Sequence, residues 1–141
     1  MTSKSLVSAL FALAALYDGI IGLIFLWAPG PLFHWAGVPP PNHMGYVQFP
    51  ALLLIIFAWL FVAIARNPAR KRDLMPYGMM LKVAYSGLVF YYWIKEGIPN
   101  MWKPFAVADL VFLLLFAWAY ARLGAETAPA STAGMGSAAS A

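Results

Sequence analysis

The sequence predicts an all-α integral membrane protein built as a bundle of four transmembrane helices. Of its 141 residues, 63% are hydrophobic and 10% are charged, whereas soluble domains average about 45–50% and about 25%. Four long apolar stretches fill most of the chain, and each approaches the roughly 20 residues that a helix needs to span a bilayer. Prolines and glycines separate these stretches, as expected where helices begin and end.

The stretches predict helices at residues 6–27, 46–65, 77–94 and 105–123. The first is longer than the roughly 7–15 residues of a signal-peptide core, so we interpret it as a retained transmembrane helix. Together the helices form one domain, residues 1–124. The remaining segment, 125–141, is rich in Ala, Ser, Thr and Gly, and we predict that it is a disordered tail.

The positions of Lys and Arg predict the orientation of the helices. Four of these residues lie between the second and third stretches: Arg66, Arg70, Lys71 and Arg72. With Lys4 and Arg122, six positive residues lie on one side of the membrane, against Lys95 and Lys103 on the other. We therefore expect a multi-pass protein of the cytoplasmic (inner) membrane with both termini in the cytoplasm.

Composition also excludes several functional classes. The chain has no cysteine, which rules out disulfides, iron–sulfur ligation and a thiolate nucleophile. His34 and His43 have no spacing typical of a metal site, so we predict neither a metal nor a cofactor. The net charge of +4 comes from residues that flank apolar stretches, so we expect contact with membrane lipid and not with nucleic acid.

The segment between the first two stretches, residues 28–45, contains five prolines around a short apolar piece, residues 32–35. Such a piece lies on the membrane surface or folds back over the mouth of the bundle. Two interpretations stay open. The segment is either a rigid interfacial connector or a lid over an outward-facing pocket.

Three ionisable residues lie inside the apolar stretches: Asp18, Lys82 and Asp109. Each costs about 2.5–3.5 kcal/mol at a bilayer centre, so each should face a partner, a cavity or the bundle interior. Counted along the helices, Asp18 lies about 18 Å and Lys82 about 8 Å from the cytoplasmic face, and Asp109 about 6 Å from the outer face. Asp18 and Lys82 can pair, or Lys82 can extend to the headgroups, whereas Lys82 and Asp109 are poorly matched in depth.

Two further groups of polar residues are candidates for a ligand-binding or proton-linked site. Lys82, Tyr85 and Tyr92 recur with Val89 at helical spacing, which predicts one inward polar stripe, either as packing contacts or as a cavity wall. Asp109 and Gln48 should lie level near the outer end. They are predicted to form a polar ring there with Tyr46 and Trp102, unless Asp109 only caps the start of its helix.

Three short segments resemble the DoxX-like group of small bacterial membrane proteins. They are Tyr17-Asp18-Gly19, Leu81-Lys82-Val83-Ala84-Tyr85 and Ala108-Asp109-Leu110-Val111-Phe112. The resemblance covers about residues 6–123. It implies a four-helix bundle in the cytoplasmic membrane and, for some members, a link to quinone-dependent oxidoreductase complexes. It supplies no catalytic residues.

No complete catalytic constellation occurs in the chain, so we predict a non-catalytic accessory module or ligand- or lipid-binding module. Its partner would be a membrane complex, such as an oxidoreductase, or a second copy of the chain. One alternative is a small proton-coupled transporter of a hydrophobic or charged molecule. Another is an intramembrane isomerase or cyclase of an apolar substrate, with a buried acid as proton donor and aromatic rings that stabilise a cation.

Overall fold

The computed structural model describes residues 2–127, and every regular element in that range is helical. The helices are α1 (Ser3–Trp27), α2 (Pro29–Trp35), α3 (Gly45–Arg66), α4 (Met75–Lys95) and α5 (Lys103–Thr127), with a 3-10 turn at Arg72–Leu74. The all-helical prediction is confirmed for this part of the chain. Four of the five helices correspond to the predicted stretches, and α2 lies in the proline-rich connection.

The long helices extend slightly beyond their predicted ends. At the start of α1, the Thr2 hydroxyl accepts a hydrogen bond from the Ser5 amide at 3.2 Å, which caps a free donor of the first turn. At the other end of the chain, α5 continues past Gly124, and the Thr127 hydroxyl donates to the Leu123 carbonyl at 3.1 Å. Residues 125–127 are therefore helical and not part of the predicted tail. The rest of that tail, 128–141, lies outside the described residues.

Within residues 2–127, three helices are long and apolar enough to cross a membrane: α1, α3 and α5. With 21 residues, α4 has a length of about 30 Å, but its sequence is less apolar because it includes Lys82, Ser86 and several tyrosines. Length and composition thus identify a helical protein with three candidate spans.

The four long helices form two antiparallel pairs. In the first pair, the hydroxyl of Ser8 near the start of α1 donates to the carbonyl of Ala65 near the end of α3. Further along the same pair, a Cβ added to Gly22 would lie 2.9 Å from the Ala51 carbonyl oxygen. The glycine is therefore what allows the two backbones to approach. In the second pair, α4 packs along α5.

Aromatic rings join the two pairs at the centre of the bundle. Phe11 of α1 stacks on Phe116 of α5 with 4.4 Å between ring centroids, and Phe61 of α3 meets Phe116 edge-on at 5.2 Å. All three side chains are completely buried. Gly78 of α4 faces the Phe61 ring, and a Cβ at this position would approach that ring to 2.6 Å. The core thus depends on a large ring on α3 fitting against a glycine on α4.

The proline-rich connection folds back over one end of the bundle as α2. Phe33 is 3% exposed and meets the Trp102 ring edge-on at 6.0 Å, while Trp102 stacks on Phe25 of α1. On the opposite side of α2, Trp35 is 84% exposed. The apolar piece is therefore an amphipathic helical turn anchored to the bundle by Phe33.

Candidate functional site

The three ionisable residues of the apolar stretches meet at one point inside the bundle. Lys82 Nζ lies 2.7 Å from Asp18 Oδ1 and 2.9 Å from Asp109 Oδ1. Asp18 is 1% exposed, Lys82 is 0% exposed and Asp109 is 5% exposed. Because each residue comes from a different helix, the cluster links α1, α4 and α5 through one ammonium group.

Aromatic rings surround the ammonium group on its remaining sides. Its nitrogen lies 5.4 Å from the ring centre of Tyr17, 5.9 Å from that of Phe61 and 5.5 Å from that of Phe112. These distances lie within the range of cation–π attraction, which is stronger where water is excluded. The rings therefore replace part of the hydration that the lysine loses on burial.

The cluster has an unequal charge balance, since two carboxyl groups face one ammonium group. Asp18 Oδ2 is buried and receives no hydrogen bond from residues 2–127, and the Tyr17 hydroxyl makes none either. Buried polar atoms are normally paired, so each unpaired one is a feature that needs an explanation. Here the unpaired atoms belong to two adjacent residues, Tyr17 and Asp18, beside the Lys82 ammonium group.

The structure tests the predicted pairings directly. Asp18 and Lys82 form the ion pair that their predicted depths permit. The Lys82 side chain is buried inside the bundle and does not extend towards its end. The prediction that Lys82 and Asp109 are mismatched is wrong. The Tyr85 hydroxyl donates to the Trp102 carbonyl at 3.2 Å, which places the start of α5 beside the middle of α4. If α5 began level with the end of α4, Asp109 would lie too far from Lys82. Because α5 begins beside the middle of α4, Asp109 comes level with Lys82.

Only part of the predicted polar stripe faces inward. Lys82 and Val89 are buried and Tyr85 is half-buried. Tyr92 is instead 40% exposed and meets the Tyr91 ring edge-on. It lies ten residues beyond Lys82, about 15 Å further along α4, which is too far along the helix to reach the ion cluster.

The predicted polar ring at the outer end does not form. Gln48 donates to the Leu26 carbonyl at 3.1 Å and makes no hydrogen bond to Asp109. Tyr46 is 70% exposed, and Trp102 packs among aromatic rings. Asp109 instead accepts a hydrogen bond from Lys82, and a hydrogen bond from an ammonium group stabilises a buried carboxylate more than one from an amide.

Sequence reasoning missed the aromatic surroundings of the ion cluster. Tyr17 directly precedes Asp18, and Phe112 follows Asp109 by three residues on the same helix face. That spacing was visible in the sequence. Phe61 comes from α3, which has no ionisable residue of its own near the cluster, so only the packing of α3 against α4 brings it there.

The ion pairs of the cluster connect α1, α4 and α5 to one another. No group of three or more His, Asp or Glu side chains that could hold a metal occurs within residues 2–127. Comparison with protein-family models, curated proteins and solved structures found no match for this chain.

Proposed function

We propose that this chain is a non-catalytic membrane module whose four long helices all cross the cytoplasmic membrane, with both termini in the cytoplasm. In this arrangement α4 crosses despite its lower hydropathy, because its lysine is neutralised inside the bundle by Asp18 and Asp109. The excess of Lys and Arg in the segment between α3 and α4 supports the orientation.

One observation carries the non-catalytic assignment. The three ionisable side chains are bound to one another and are at most 7% exposed. A substrate would reach them only if helices separated at the centre of the bundle. The module would serve as an accessory subunit or a lipid-binding unit. Partnership with an oxidoreductase complex is supported by the resemblance of the three short segments, and self-association remains part of the same proposal.

A proton-coupled transporter is the second candidate, and it too has an observation in its favour. Asp18 Oδ2 and the Tyr17 hydroxyl, both unpaired within residues 2–127, belong to adjacent residues, and both residues lie near the Lys82 ammonium group. A carboxyl group with a free oxygen at mid-membrane is a typical proton site in transporters. The isomerase alternative gains less support, since both acids are bound to Lys82 and the aromatic rings beside them surround the lysine.

Proton flux in proteoliposomes separates these candidates. Purified wild-type protein and Asp18→Asn would be reconstituted into vesicles containing a pH-sensitive dye, and an imposed pH gradient would be followed over time. We expect both proteins to leave the decay of the gradient equal to that of empty vesicles. A faster decay in the wild type that disappears in Asp18→Asn would instead establish the transporter.

A companion measurement tests the module itself. Gentle extraction followed by native mass spectrometry would compare molecules bound to wild type and to Asp18→Asn. The proposal predicts the same bound lipids or subunits in both, because Asp18 lies away from the surface. A small molecule that is present in the wild type and lost in the variant would show that the cluster belongs to a ligand pocket.

A further inference from the structure

An open apolar groove runs between α1 and α3 at the end of the bundle that carries the basic residues. Its volume is about 350 Å³, and its lining residues are Ala12, Ala15, Leu16, Val62, Ala65 and Arg66. On each helix these residues are spaced by three and four positions, so they share one face. The groove exists because the alanine side chains are small, and Ala15, which is 7% exposed, forms its floor.

Arg66 lies at the basic end of the groove and is its only charged lining residue. It is exposed, and its guanidinium forms no ion pair within residues 2–127. Two other arginines near this end, Arg72 and Arg122, differ from Arg66 because their guanidinium groups contact other residues of the chain. Arg72 donates to the Tyr120 carbonyl at 2.8 Å and lies over the Tyr120 ring, and Arg122 lies 3.6 Å from Glu126. Arg66 is thus available to an external anion.

The surroundings of Arg66 strengthen the positive charge at this place. Lys4 lies one turn before Ser8 on α1, and Ser8 contacts Ala65, the neighbour of Arg66. Arg70 and Lys71 follow in the connection after α3, and both are exposed. The nearest acidic residue in sequence is Asp73. An apolar trough that ends at a group of cations is complementary to a molecule with a hydrocarbon chain and an anionic head.

We propose that this groove binds an anionic phospholipid, with one acyl chain along Ala12, Ala15 and Val62 and the phosphate at Arg66. The inference rests on the proposed function, because it takes this end of the helices to lie at the cytoplasmic leaflet, where anionic lipids are attracted by Lys and Arg. Any acyl chain fills the trough, and Arg66 selects the headgroup.

Native mass spectrometry in detergent provides the test, with phosphatidylglycerol and phosphatidylcholine added to separate samples of the purified protein. The wild type should bind phosphatidylglycerol more strongly than phosphatidylcholine. Arg66→Gln should weaken that binding by about fivefold and leave phosphatidylcholine binding unchanged. Arg122→Gln is the matched control, since it removes an exposed arginine from the same end of the bundle without touching the groove, and it should bind as the wild type does.

A second pair of variants tests the acyl-chain part of the site. Ala12→Leu fills the groove, whereas Ala121→Leu adds the same bulk to an exposed position on α5. Only Ala12→Leu should reduce the binding of phosphatidylglycerol. Equal binding of both lipids to the wild type, or equal losses in Arg66→Gln and Arg122→Gln, would overturn the proposal. Because lipid binding in detergent does not depend on orientation or proton flux, such a failure is distinguishable from failure of the proposed function.

Discussion

Lys82 Nζ lies 2.9 Å from Asp109 Oδ1, although a count of residues from the helix ends places the two side chains at different depths. The contact exists because α5 begins beside Tyr85 and not beside the end of α4. It makes Lys82 the shared partner of two carboxylates that come from the first and last helices of the bundle. The charge centre therefore holds together parts of the chain that are far apart in sequence.

Replacement of Lys82 by Met should be the most damaging single change in the cluster. Met is similar in length but leaves Asp18 and Asp109 facing each other without a cation. Removal of one partner from a buried ion pair typically costs about 3–5 kcal/mol, and we expect a loss in the free energy of unfolding of at least about 3 kcal/mol. The measurement is unfolding in SDS, followed by circular dichroism, of protein purified in mild detergent.

Asp18→Asn provides the comparison for that change. It leaves one carboxylate for one ammonium group, and the amide oxygen can still accept from Lys82. We expect a loss below about 1.5 kcal/mol, and adding Asp18→Asn to Lys82→Met should recover part of the stability. If Asp18→Asn were as damaging as Lys82→Met, the charge balance of the cluster would not be the source of its effect.

Gly22→Ala should destabilise the contact between α1 and α3. The new Cβ would lie 2.9 Å from both the Ala51 carbonyl oxygen and Ile55 Cγ1. Since backbone must then move, we expect a cost of about 1–3 kcal/mol in the same unfolding assay.

Gly19→Ala is the matched control on the same helix. Its Cβ would lie 3.5 Å from Ala58 Cβ, an ordinary contact, and alanine is favoured over glycine in a helix by about 0.5–1 kcal/mol. This variant should be neutral or more stable than wild type. If Gly19→Ala had a lower free energy of unfolding than Gly22→Ala, the packing of α1 on α3 would be contradicted.

Tyr85→Phe should weaken the register between α4 and α5. It removes the hydroxyl that donates to the Trp102 carbonyl, and a typical hydrogen bond contributes about 0.5–1.5 kcal/mol. Tyr91→Phe removes a hydroxyl from a residue that is 55% exposed and should leave the unfolding free energy unchanged. Equal effects of the two changes would mean that the Tyr85 contact does not set the register.

Single introduced cysteines report the topology, because the natural chain contains none. Arg70→Cys lies in the connection between α3 and α4, and Asn100→Cys lies between α4 and α5. If α4 crosses the membrane, a membrane-impermeant maleimide added to intact cells should label Asn100→Cys and spare Arg70→Cys until the membrane is opened. Labelling of both positions from the same side would show that α4 does not cross.

Much of the architecture follows from local features of the sequence. Apolar stretches of transmembrane length predict the long helices, and proline marks where several of them begin. The sequence predicts an end of α5 at residue 123, whereas the helix continues to Thr127. Gly124 is tolerated there because the Arg122–Glu126 pair and the Thr127 hydroxyl support the last turn. For α2, the sequence predicts only an apolar piece in a proline-rich connection.

The helical, apolar character of the chain follows from its sequence, and so does the need of Asp18, Lys82 and Asp109 for partners, because an unpaired charge in hydrocarbon is too costly. Which partners these residues have depends on how the helices pack. The reason is that register between helices depends on contacts such as Phe61 against Gly78 and Tyr85 against Trp102. The first contact joins α3 to α4, and the second joins α4 to the residue that precedes α5. Periodicity within one helix carries no information about its displacement along another.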